Sequence, residues 1–273
     1  MKQTIINWAV FGVAALIAGP LAGRLVEMAS PASGASDPTA LLSSSPVVSV
    51  ALYAAAFAIA CVVGVVAARL TQVGVALSAA GIVLAWAAWR TERVEEVFRF
   101  GHQGGAFWTL AIEGLLMAAG GIIVGACILK ASEKLSEDKH EFDGVFSGQS
   151  FAGLGAGLFA GAMAAWAIAR SDAVGQTFAA AVAAGIAAAV VGRIVSVRAP
   201  LLAFVAAGSL LAFAGPAVGA VMNSGDAVRA AYSGTLVPIA RVMPIDWIAG
   251  ILIGVPIGAS WAAAMVHKHA PAK

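Results

Sequence analysis

Charge is what this chain has least of. Its 273 residues carry 16 basic and 14 acidic side chains, 11% in all, for a net charge of +2. Soluble globular chains carry about 25% charged residues, so an ordinary soluble domain is excluded. The near-balance of signs and the lack of any basic run remove the electrostatic footprint of a nucleic-acid binder. No glycine–lysine phosphate loop occurs, which argues against an ATP-hydrolysing subunit. Histidine is sparse, and His102, His140, His267 and His269 all lie outside the apolar runs, so haem is not expected. Cysteine is limited to Cys61 and Cys127, both in apolar runs. Neither has a sequence neighbour that makes a redox or metal pair, and packing is the reading.

What fills the chain instead is apolar mass, 61% of residues with only 8% aromatic. It falls into eight runs at about 4–26, 47–68, 72–89, 106–129, 151–169, 174–195, 200–221 and 245–266. Each is close to the roughly 20 residues that cross a bilayer as a helix. None shows the ten-residue alternation of a barrel strand. The fold class expected is all-α, a polytopic transmembrane bundle forming a single integral membrane domain over 1–273. The bilayer is its first partner. The first run, behind Lys2, is longer than the 7–15-residue core of a signal sequence and is read as a retained helix. Lys130, Lys134, Lys139, Arg193 and Arg198 fall on one side and lean the orientation toward both termini inside, in a prokaryotic inner membrane.

The loops differ in character. Residues 27–46 are rich in Ser, Pro and Ala and read as a flexible connection. Residues 130–150 form the hydrophilic inside loop. Its Asp138, His140, Glu141 and Asp143 lack a second His or Cys, so no metal is expected. Val94, Val97 and Phe98 recur at helical spacing and predict a helical extension at the interface. A short helix is expected at 227–232. The outer charges, Arg90, Arg93, Glu95, Glu96, Arg229, Arg241 and Asp246 among them, read as a solvated rim, with Trp89, Trp108 and Trp247 as interfacial anchors.

Small residues recur every fourth position, twice as triples: Gly153, Gly157 and Gly161, then Gly250, Gly254 and Gly258. That spacing lines one helix face with glycine and lets another backbone approach closely, within the chain or in a partner or second copy. Pro20, Pro216 and Pro256 fall inside runs and are expected to kink or interrupt the first, seventh and eighth spans.

One residue breaks the apolar pattern most sharply. Glu113 lies well inside the fourth run, where an ionisable group is costly and usually functional. On a helical wheel it shares a face with Ala106, Thr109, Leu110, Met117 and Gly120. Ala111, Leu115, Ile122 and Leu129 lie opposite. Glu113, with Thr109 one turn away, is the candidate coupling site.

Other constellations fail on spacing. The run Glu95-Glu96-Val97-Phe98-Arg99 resembles the glutamate pair and arginine of CAAX-type intramembrane proteases. Two residues separate pair from arginine where that family has three, and no histidine follows inside a run. Ser260 and His267 are seven residues apart, roughly 10 Å along a helix, too far for a catalytic pair. With no complete catalytic set and no cofactor motif, an enzyme is disfavoured. The expected function is a small permease or ion- or proton-linked transporter using the intramembrane carboxylate. The alternative is a non-catalytic membrane subunit, scaffold or assembly factor.

Overall fold

In hydrocarbon a backbone has to satisfy its own hydrogen bonds, and an isolated span can do so only as a helix. The apolar runs obey this. A computed structural model describes residues 2–29, 39–99, 105–133, 148–197, 199–223 and 225–267 and shows an all-α bundle, with no β-strand among them. Eight spans are long and apolar enough to cross a membrane, carried by α1 (Lys2–Glu27), α2 (Pro46–Leu70), α3 (Val73–Trp89, the main part of the span Val73–Phe98), α5 (Ala106–Glu133), α6 (Gly148–Ile168), α7 (Val174–Val195), α8 (Leu201–Met222) and α10 (Pro244–His267). Two short helices, α4 (Val94–Arg99) and α9 (Ala227–Tyr232), lie with a 3₁₀ turn, Pro238–Arg241, at one end of the bundle, here the capped end. Residues 134–147, with the candidate loop donors, lie outside the described residues.

The prolines act where their missing N–H is felt. Pro20 cannot donate to the carbonyl four residues back, and the turn before it, Ala14–Ala18, widens to a π-helical turn. Pro46 opens α2, where a missing donor is harmless. In α8 the helix is interrupted at Leu210, one and a half turns ahead of Pro216. In the eighth span Pro256 does not interrupt the helix: α10 is continuous through it.

α10 runs through the middle. Ile245, Ile248, Ala249, Ile251, Leu252 and Val255 are fully buried. It lies antiparallel to α3, where Gly81 sits on Ile253 and Ala249, and parallel to α7. Gly250, Gly254 and Gly258 meet Ala181, Val182 and Ile186 of α7 in succession, so closely that a Cβ on Gly254 would strike the Val182 carbonyl. On the other side of α7, Gly153, Gly157 and Gly161 of α6 lie against Gly192, Ala188 and Ala184. Both glycine triples are thus occupied by one alanine-rich helix of the same chain.

Several expectations are corrected. Trp89 and Trp108 are exposed, but Trp247 is buried in the bundle centre and anchors no interface. α4 is a separate helix after a break at Arg90–Arg93, and its Val94, Val97 and Phe98 point into the bundle end instead of lying on an interface. The exposed face of α5 is Trp108, Ile112, Leu115, Leu116 and Ile123, while Ala111 and Leu129 are buried. The wheel misplaced this face because α8 and α2 flank α5 on two sides, not one.

The close α7–α10 fit yields a test. Gly254→Leu forces side chain onto main chain and should destabilise the bundle by about 3 kcal/mol or more. Gly155 of α6 faces open space, so Gly155→Ala should be neutral or stabilising by up to about 1 kcal/mol. Unfolding midpoints in detergent measure both, and equal effects would refute the fit.

Candidate functional site

Glu113 lies two turns inside α5, roughly 10 Å from its first residue, and is fully buried. No arginine or lysine among the described residues pairs with it. The Leu41 N–H donates to Oε2 at 2.9 Å, and the Ala40 N–H and Thr39 hydroxyl lie beside the same carboxylate. Oε1 makes no hydrogen bond with any described residue. Residues 39–45, expected to be part of a flexible connection, instead reach down against α5. Thr39 and Ala40 are buried, the Leu42 N–H donates to the Thr39 hydroxyl at 3.1 Å, and Ser49 of α2 donates to Ser43. The sequence did carry a signal here: TALLSSS is less polar than the stretch before it and has no charge. Thr109 does not join the site, because its hydroxyl turns back to the Gly105 carbonyl at 3.3 Å.

Behind Glu113, Pro216 of α8 leaves the Ala212 carbonyl without its helical donor. Gly114 packs directly on that carbonyl, and a Cβ there would overlap it. α5 and α8 therefore meet backbone to backbone beside the carboxylate. Tyr53 of α2, fully buried, shares a hydrogen bond with Thr91 at 3.0 Å.

The rim reading fails for its most important charges. Arg93 donates to Asp246 Oδ2 at 2.7 Å and to the Ala88 carbonyl at 2.6 Å, and Thr177 donates to the same Oδ2 at 3.0 Å. Asp246 is fully buried and Arg93 nearly so. Arg241, also buried, donates to Asp172 Oδ1 at 2.7 Å, and the Glu95 N–H donates to Oδ2 of that carboxylate at 3.1 Å. Tyr232 of α9 donates to the Glu95 carbonyl. These bonds tie α4, α9, the α6–α7 turn and the start of α10 into one cap. Asp246 gave the same signal as Glu113, a carboxylate inside an apolar run, but its place near the run's end disguised it.

Two apolar grooves open on the sides of the bundle. One, about 470 Å³, lies between α2 and α5, lined by Tyr53, Phe57, Cys61, Met117 and Gly120, and ends at Ala40 beside Glu113. The other, about 430 Å³, lies between α3 and α7. The Cys61 and Cys127 thiols meet between α2 and α5, so each does have a sulfur neighbour, and both are free. No group of side chains among the described residues is arranged to hold a metal.

The buried ion pair should prove structural. Arg93→Ala leaves Asp246 charged and unpaired and should destabilise by about 3–5 kcal/mol. Arg229, exposed on α9 and 3.7 Å from Asp226, should tolerate alanine with little change. Thermal unfolding in detergent distinguishes the two. No family model, curated protein or solved structure matches this chain, so its chemistry rests on the groups it brings together: one carboxylate latched by main chain, one locked to arginine, and two side grooves in an apolar bundle.

Proposed function

We propose that the protein is a small permease for a proton, or for a small apolar solute moved with one, and that Glu113 with residues 39–42 forms its gate. The observation that carries this is the nature of Glu113's partner. A carboxylate locked to an arginine keeps its charge and its place. A carboxylate held by main-chain N–H groups grips them most strongly while it is charged: protonation on the free Oε1 leaves Oε2 able to accept but removes the charge that strengthens the bond to Leu41. The position of residues 39–42 is then coupled to the charge on one side chain. Among the described residues, Tyr53 of the adjoining helix is the titratable group near Glu113, with Glu92 and Arg93 on its other flank. The groove between α2 and α5 reaches Ala40 from the side, which suits a molecule dissolved in the bilayer better than a hydrophilic one.

A second reading, a non-catalytic subunit or assembly factor, has one observation in its favour. Of the buried charged side chains among the described residues, Glu92, Arg93, Arg241 and Asp246 sit at the capped end and Glu113 two turns inside α5, so no chain of buried charges among them crosses the bundle. The glycine triples do not add support, since both are filled by α7.

Two measurements on proteoliposomes test the gate. Wild-type protein should dissipate an imposed pH gradient, read by an internal pH dye, and Glu113→Gln should lose that activity. A spin label at position 42, in a Cys61→Ala/Cys127→Ala background, should become more mobile as pH falls and lose its pH response in Glu113→Gln. Unchanged flux in Glu113→Gln, or a label indifferent to pH in both proteins, would sink the proposal.

A further inference from the structure

The groove between α3 and α7 has walls of Ile82, Trp86, Trp89 and Phe178, and the fully buried Asp246 of α10 lies just beneath its floor, so a ligand reaches that carboxylate by parting the side chains over it. Its roughly 430 Å³ lies within the range of small-molecule sites. Asp246 is what makes it more than an apolar cleft. Oδ2 is taken by Arg93 and Thr177. The Met243 N–H lies near enough to act on the carboxylate, yet Oδ1 accepts no hydrogen bond from any described residue. A buried acceptor left without a donor is costly, and a ligand that donates to it recovers that cost.

The charge balance limits what that ligand is. Arg93 already neutralises Asp246, and Arg90 at the rim lies 3.7 Å from Glu27. A charged ligand would add an unpaired charge to an apolar groove, which is unfavourable. Two indole rings and a phenyl ring favour a flat apolar body. The groove lies on the side of the bundle, toward lipid. We propose that it binds a neutral, membrane-dissolved amphiphile carrying a hydroxyl on a flat ring, the chemistry of a hydroquinone, with that hydroxyl donating to Asp246 Oδ1. This site is separate from Glu113 and does not depend on the gate.

The test compares three probes on purified protein in detergent, with affinity read from thermal stabilisation: a decyl-substituted hydroquinone, its dimethyl ether and decanol. The ether keeps the ring and removes the donor; decanol keeps the donor and removes the ring. The hydroquinone should bind about ten-fold or more tightly than either. Gly175, on the α7 wall, has open space where a Cβ would stand, so Gly175→Phe fills the groove without touching the ion pair and should abolish binding. Ile82→Trp fills it from the α3 side and should do the same. Equal affinity for hydroquinone and ether, decanol binding as tightly, no hydroquinone binding, or binding unchanged by both groove-filling variants would overturn the proposal.

Discussion

The close fit of α10 on α7 sets the rest of the structure. Gly250 meets Ala181, and one turn back along both parallel helices Asp246 meets Thr177. The register chosen by glycine against backbone is therefore the register that brings a carboxylate to a hydroxyl at the helix starts. In a bilayer no hydrophobic force draws helices together, so close van der Waals contact and buried hydrogen bonds have to do it. Here both act on the same pair of helices, one turn apart. Arg93 completes the arrangement from the α3–α4 break, and its second nitrogen holds the last turn of α3 through the Ala88 carbonyl. Slipping α10 by one residue would strand Asp246, Arg93 and Thr177 together.

The two buried carboxylates differ in what holds them. Asp246 is paired with arginine, and removing either partner leaves a buried charge, so this pair resists change. Glu113 is held by the amides of a segment that arrives from another part of the chain. Its grip depends on its own charge. The cap bonds of Arg241, Asp172 and Glu95 tie the α6–α7 turn to α4 and to the 3₁₀ turn. The structure thus sets a charge-locked contact beside one whose strength varies with charge.

The all-α class and the eight spans were legible in the sequence, because a run of about 20 apolar residues has few other fates in a membrane. So was the short helix at Ala227–Tyr232. The four-residue glycine spacing was visible too, but nothing in it said that both triples meet α7. What could not be read was which charges lie inside. Arg93, Arg241 and Asp246 looked like a rim because charge near the end of a run is usually solvated. Their burial follows from partners 69 and 153 residues away in sequence. Trp247 misled for a related reason: a tryptophan at a span end is an anchor only when that end faces lipid, and the start of α10 faces the bundle. The partner of Glu113 was hidden in a stretch with no periodicity to reveal its place.

The distribution of polar groups bears on how anything reaches these sites. Most of the buried charges among the described residues gather at the capped end, while the rest of the bundle is closed by alanine and glycine packed at backbone distance. Both grooves open between neighbouring helices, α2 with α5 and α3 with α7; the first ends at Ala40, whose neighbour Leu41 holds Glu113, and the second has Asp246 among its lining residues. A hydrophilic solute would have to leave water to travel along such walls, whereas a molecule already in the bilayer has no hydration shell to lose. Side access and apolar walls together favour ligands that are mostly hydrocarbon. That constraint holds whether the protein moves its ligand or only binds it.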